Sequence, residues 1–268
     1  MTVASEWDFG YKTDPGRLRQ NEPNQDAVLV LDAEPGKAPL LIVADGMGGH
    51  LGGDTASRIV IETISFTYQQ AEPPIDYGTL LGNCLVESHK ALRAYANEHK
   101  GFENMGSTAV IAALDGDKLH VANVGDSRAY LLSAGEMKQV NFDHSLVADN
   151  VRAGILTFLE ALQHPKRNRL TQSITVKRTE LQPFVTQVSL GPDDTVLLCT
   201  DGLWGVVADA IVQAVAVELI PSQAVEKLVE LAHTRQAPDN VSVVLARLKT
   251  AKAQNILNDE EDNTDPGL

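Results

Sequence analysis

The chain has 268 residues, enough to bury a sizeable core in one large domain or two small ones. Its formal charge is −14, from 22 Lys and Arg against 36 Asp and Glu, which argues against nucleic-acid binding and for an affinity toward cations. The apolar and charged fractions are those of a globular protein, and no run approaches the ~18 apolar residues of a membrane span.

The first ten residues, MTVASEWDFG, lack the basic and apolar regions of a signal peptide. Cys84 and Cys199 both sit in apolar surroundings and read as buried free thiols of a reducing compartment. Together these lead us to expect a cytoplasmic protein with neither membrane nor nucleic acid as partner.

Tyr11 to Asp26 mixes turn residues with Arg17 and Arg19, and Ala27 to Leu31 reads as a strand. Leu40 to Ala44 is uninterruptedly apolar, as in a strand buried on both faces. It ends in Asp45 and a turn rich in glycine (Gly46, Gly48, Gly49, Gly52, Gly53). Asp54 or Thr55 is then expected to cap a helix carrying Ile59, Ile61 and Ile64. Gly46-Met47-Gly48-Gly49-His50-Leu51 fails the dinucleotide fingerprint at its third glycine, and the Gly-Lys-Ser/Thr ending of a P-loop is absent.

A linker near Pro73-Pro74 introduces a second helix, with Leu80, Leu81, Cys84, Leu85, Ala91, Leu92 and Tyr95 at helical spacing. Short strands follow at Ser107 to Leu114 and Lys118 to Val124, joined by the hairpin turn Asp115-Gly116-Asp117. Gly125-Asp126-Ser127-Arg128 interrupts the strand pattern, which resumes at Ala129 to Leu132 and turns at Gly135-Glu136. A helix is expected around Leu146 to Leu162, before a basic loop holding Lys166, Arg167 and Arg169. That loop is either solvated or a surface that receives an anionic substrate.

Thr195 to Thr200 is a second buried strand, again ending in Asp-Gly at Asp201-Gly202. Helices near Ala208 to Leu219 and Ser222 to His233 are separated by Pro221. Asp239 and Asn240 immediately precede a last strand, Val241 to Leu248. The acidic segment 251–268 is expected to be a disordered tail. Strands and helices come in blocks, which favours an α+β arrangement with antiparallel sheets.

Five aspartates, Asp26, Asp45, Asp126, Asp201 and Asp239, each lie at the edge of an apolar strand. Taken singly, each is a turn or cap residue. Gathered in one cleft, their like charges would cost stability unless hard divalent cations such as Mn2+ or Mg2+ lay between them. Zinc is disfavoured, because the chain has no H-E-x-x-H and no paired-Cys spacing.

VADGMGGH, NVGDSRAYLL, LLCTDGLW and APDNVSVVLARL, in this order and spacing, resemble the metal-dependent protein phosphatases of the PPM (type 2C) family, bacterial branch. The resemblance spans about Thr13 to Leu248. It implies a single phosphatase domain over residues 1–250, built as a four-layer αββα sandwich: two antiparallel sheets flanked by helix pairs, with a mobile flap at about 144–182. It also implies a monomer that hydrolyses phosphoserine and phosphothreonine in proteins, using two or three Mn2+ or Mg2+ ions.

By the same resemblance, Asp45 bridges two ions, with the Gly46 carbonyl near the second. Asp201 and Asp239 complete the first ion's ligands and Asp26 the second's; Asp126 with Asp201 holds a third. The phosphate-gripping arginine of the family usually stands five residues before the aspartate, which is Asn21 here, so Arg19 is assigned, with Arg17 as the alternative. His50 is expected to protonate the leaving alkoxide or to line the rim, and Asn240 to support Asp239.

The implied chemistry is in-line attack on phosphorus by hydroxide held between two ions, with no phosphoenzyme. A thiol phosphatase needs C-x5-R, and the offsets from Cys84 and Cys199 hold Lys90 and Gly205. A non-catalytic phosphoprotein-binding module and a small-molecule phosphomonoesterase are the competing readings. TQSIT (residues 171–175) departs from the family's commoner Arg/Ala-Leu-Gly sequence.

Overall fold

The computed structural model describes residues 6–49 and 52–249. In chain order the elements open with β1 (Trp7–Asp14), β2 (Asp26–Leu31), β3 (Leu40–Met47), α1 (Gly53–Gln69) and α2 (Tyr77–Glu98). Next come β4 (Gly106–Ser107), β5 (Ala109–Asp115), β6 (Lys118–Val124), β7 (Arg128–Ser133) and β8 (Glu136–Gln139). Then follow α3 (Leu146–Arg152), α4 (Phe158–Gln163), β9 (Ile174–Thr175), β10 (Phe184–Ser189) and β11 (Thr195–Cys199). The last are α5 (Asp201–Trp204), α6 (Asp209–Glu218), α7 (Pro221–Thr234) and β12 (Val241–Leu248).

The strands form two antiparallel sheets. One has five strands in the order β1-β12-β11-β7-β8; the other has seven, β10-β6-β5-β3-β4-β9, with β2 also paired to β3. The apolar runs of the central strands follow from burial on both faces. In β3, Leu40, Ile42 and Ala44 face the core beneath α1 and α2, while Leu41 and Val43 face the core between the sheets. In β11, Leu197 and Cys199 pack under α6 and α7, and Val196 and Leu198 pack between the sheets. The result is four layers, helix pair, sheet, sheet, helix pair, as expected.

Several expectations need correction. Neither Asp54 nor Thr55 caps α1: the N-cap is Gly52, with no side-chain cap, and Asp54 sits in the first turn. The expected helix from Leu146 to Leu162 is two, broken where Gly154 takes φ +70° and Thr157 opens α4 with a reciprocal cap to Glu160. Pro221 does not stand between helices but opens α7, where its missing N–H costs nothing. β1 and β10 were not expected, since both alternate polar with apolar residues at sheet edges. The expected tail at 251–268 and His50 lie outside the described residues.

Parity places the chemistry. Val28 and Val30 of β2 and Leu41 and Val43 of β3 face the five-stranded sheet, so Asp26 and Asp45, two residues further along, turn the same way. The turn between β6 and β7 brings Asp126 from one sheet to the other, and the ends of β11 and the start of β12 bring Asp201 and Asp239. All five aspartates therefore meet at one end of the sandwich.

Candidate metal centre

Asp26 and Asp45 are direct cross-strand partners. Side chains in that relation sit about 4.5–5.5 Å apart at Cβ, where two like charges repel. The ends of two inner strands of the other sheet close over them: Thr200 Oγ1 donates to Asp26 Oδ2 at 2.9 Å and itself accepts from the Ser242 N–H at 3.0 Å. Asp45 is held by its backbone, whose carbonyl accepts from the Thr108 N–H at 2.8 Å and from Ser107 Oγ at 3.0 Å. Its side chain is left for other work.

Asp201 follows Thr200 at the N-terminus of α5. Gly202 is required next, because a Cβ there would overlap the Asn240 carbonyl oxygen. Asn240 is buried and links three segments, accepting from the Gln25 N–H at 2.9 Å and donating to the Pro15 carbonyl at 2.8 Å. It thus ties the start of β12, next to Asp239, to the segments that precede β2. Gly46 packs against the backbone of Gly53 and Gln25, its N–H donating to the Gln25 carbonyl at 3.0 Å.

The two arginines differ. Arg19 is half-buried and pairs with Asp239, while Arg17 is exposed. Gly16, with φ +75°, packs against the Asp239 backbone and delivers Arg19 to the centre.

Asp126 is the most elaborately supported. Trp204 Nε1 donates to its carbonyl at 3.1 Å, and the Arg128 guanidinium lies 3.6 Å over the Trp204 ring. Arg128 is in turn held by Asp143, with its closest contact at 2.7 Å, and by the Tyr130 hydroxyl at 3.1 Å. Sequence reasoning missed Thr200, Ser242, Trp204 and Asp143. Thr200 and Trp204 flank Asp201 in LLCTDGLW and were within reach; Ser242 and Asp143 carry no local signal.

The electrostatics are those of negative charge with too little to balance it. Burial and the charges of Asp26, Asp201, Asp126 and Asp239 push Asp45 well above the usual carboxylate range. Burial raises Asp26 to about 7 against the hydrogen bonds of Ser242 and Thr200, with Asp201 and Asp239 adding to the rise. Burial, then Asp201 and Asp143, raises Asp126 to about 8. Burial and Asp239 raise Asp201 to about 6, with Arg19 pulling the other way.

A divalent cation fits this arrangement. Asp201 Oδ1 is buried with no hydrogen-bond partner among the described residues, and the surrounding donors are hard carboxylate oxygens. Among the described residues no three His, Cys, Asp or Glu side chains close around one point by themselves. Hard divalent ions keep several waters in their shells, so carboxylates spaced in this way suit them better than zinc.

The described residues contain no helix long and apolar enough to cross a membrane. Both cysteines are buried; burial pushes the Cys84 thiol up to about 12 and Cys199 higher still. Neither is a nucleophile at neutral pH.

Residues 14–249 match the family model described as Protein phosphatase 2C. The chain is 32% identical over 240 residues to the serine/threonine phosphatase Stp of Listeria innocua, covering 88% of this chain and 93% of that protein. Among solved structures, the serine/threonine phosphatase Stp1 of Staphylococcus aureus superposes with a TM-score of 0.84 at 30% identity, over 93% of this chain and 98% of that one. The catalytic domain of the phosphatase PstP, in complex with two manganese ions, superposes with a TM-score of 0.79 at 30% identity, over 90% and 97% of the two chains.

Proposed function

Since the chain belongs to the protein phosphatase 2C family and is a Mn2+- or Mg2+-dependent serine/threonine protein phosphatase, we propose that Asp26, Asp45, Asp126, Asp201 and Asp239 hold its ions. The observation that carries the assignment is that these five carboxylates meet at one end of the sandwich, with Asp26 and Asp45 as cross-strand partners, where burial and then the neighbouring carboxylates push Asp45 well above the usual carboxylate range. The Gly46 carbonyl adjoins Asp45 and would add a neutral oxygen.

Ions bound there would supply a nucleophile from water near neutral pH and would offset the charge of the phosphoryl oxygens. Arg19 grips two of those oxygens with its planar fork, and Asp239 orients that fork beforehand. Thr200 fixes the Asp26 carboxylate by donating to Oδ2. His50, outside the described residues, is assigned the proton for the leaving serine or threonine oxygen. Neither buried thiol takes part, and direct attack by water on phosphorus would leave no covalent phosphoenzyme.

The reading also puts the enzyme in the cytoplasm as a monomer, acting on phosphoproteins and not on nucleic acid or membrane. Two buried free thiols and the charge of −14 support it. The test is turnover of p-nitrophenyl phosphate and of a phosphothreonine peptide by the full chain. Both should require Mn2+ and vanish in EDTA. Metal-independent turnover, or calorimetry showing no tight Mn2+ site, would overturn the assignment.

A further inference from the structure

Beside the centre lies a cavity of about 330 Å3 whose inner end is formed by Asp201 and Asp239. Its floor is Trp204 with Arg128 laid across the ring, and its outer wall is Val147 and Val151 of α3 and Phe158 and Leu162 of α4. The hollow is thus continuous with the carboxylates, yet mostly apolar. Phe158 and Leu162 remain 58% and 46% exposed, so the wall has apolar surface that nothing in the fold covers. Arg167 also lines it, and among the described residues its side chain makes no ion pair.

We propose that this hollow receives an aliphatic side chain next to the phosphorylated residue of a phosphoprotein, and so sets sequence preference. The proposal rests on the phosphatase reading above. An extended peptide advances about 3.3 Å per residue and alternates its side chains. A phosphoryl group at Asp201 and Asp239 therefore leaves a neighbouring side chain within reach of Phe158 and Leu162. The occupant is part of an anionic phosphopeptide and not a neutral apolar molecule, because Arg167 presents an unpaired cation at the same hollow.

The experiment uses the full chain with Mn2+ and phosphothreonine peptides carrying Leu, Ala or Glu at each position from two before to two after the phosphothreonine. Leucine at one of these positions should raise kcat/KM about tenfold over alanine, the scale of discrimination that a hydrophobic pocket supplies. In the double variant Phe158→Ser, Leu162→Ser that ratio should fall close to one; both side chains are largely exposed, so the fold is not threatened. Turnover of p-nitrophenyl phosphate, which has no flanking residue, reports the centre alone. If that ester is hydrolysed while the ratio is close to one at every position, the proposal is overturned. A ratio that survives the double variant also overturns it. So does a preference that emerges only when residues 250–268 are removed, since the chain itself would then occupy the hollow. Loss of turnover on the ester and on every peptide would instead strike the phosphatase reading itself, and this inference with it.

Discussion

Arg19 and Asp239, 220 positions apart in the chain, meet in a two-pronged ion pair of 2.7 and 3.2 Å. The pair holds a cation at the mouth of the centre, where a phosphoryl group would arrive. Arg19→Ala should raise KM for a phosphopeptide on the order of tenfold or more, the scale of a lost charge-assisted pair. Arg19→Lys should recover only part, because an ammonium cannot fork. Arg17→Ala should stay within about twofold. Steady-state kinetics of the three variants would check this, and equal effects at Arg17 and Arg19 would refute it.

Asp45→Asn separates chemistry from stability. Turnover with Mn2+ should fall by at least about a hundredfold, as for loss of a principal electrostatic group. In EDTA at neutral pH, however, the melting temperature should rise, since the folded state no longer has to take up a proton at a carboxyl that burial and then its neighbouring carboxylates hold well above the usual range. Differential scanning fluorimetry with and without Mn2+ reads both effects, and the metal-induced rise should shrink in the variant.

The raised aspartates also fix a pH dependence. The folded, metal-free protein keeps a proton on Asp26 up to about pH 7 and on Asp126 up to about pH 8, both of which the unfolded chain has already released. The folded state therefore loses ground as pH rises, by up to about 1.4 kcal/mol per pH unit for each proton retained. At lower pH His89, His120 and His144, lowered by burial, pull the opposite way. In EDTA the melting temperature should decline from pH 6.5 to 8, and the rise on adding Mn2+ should be larger at pH 8, because ligands must shed protons to bind. A flat profile in EDTA would contradict the charge burden.

Gly202→Ala should be severely destabilising. The added methyl would meet the Asn240 carbonyl, which is backbone and cannot swing aside. A loss of several kcal/mol or failure to fold is expected, on the scale of overpacking with backbone displacement. Gly116→Ala, in an open turn with φ +59°, should cost only about 1 kcal/mol. Urea unfolding of the two variants provides the comparison.

Trp204→Phe keeps a ring beneath Arg128 but removes the N–H that holds the Asp126 carbonyl. Folding stability should fall by about 1 kcal/mol, the net value of one hydrogen bond. The Mn2+ concentration for half-maximal turnover should rise as the Asp126 turn loosens. Calorimetry should find the weakest ion site lost or weakened, with the tighter ones unchanged.

The parts of the fold that the residues announced are those buried on both faces. β3 and β11 are read at once from Leu40–Ala44 and Val196–Cys199, because each alternate residue meets a different apolar layer. Edge strands gave no such run. In β1 only Trp7 and Gly10 are buried, and Gly10 is there because α7 packs so close that a Cβ would strike the Pro221 carbonyl. That contact lies more than two hundred residues away and leaves no trace in local pattern. The region from Leu146 to Leu162 misled because its apolar residues continue across Gly154, where the backbone turns left-handed.

The five aspartates were legible for a different reason. Each lies at or near the end of an apolar strand run, and four of them, Asp45, Asp126, Asp201 and Asp239, were carried in order by four motifs. Their supports were not. Asp143 is tied to the Asp126 carbonyl through Arg128 and Trp204, a chain of contacts that no spacing encodes. Asn240 was the exception, since it stands beside Asp239 in the motif itself.

Asp26 and Asp45 belong to one sheet, Asp201 and Asp239 to the ends of two inner strands of the other, and Asp126 to the turn between them. Ions shared across that seam would fasten the two halves of the molecule like a clasp, while the empty protein must keep the seam shut against its own charge. Divalent supply would then govern two quantities at once: how fast the enzyme turns over, and how long it survives proteases. Manganese scarcity would thin out the protein as well as idle it.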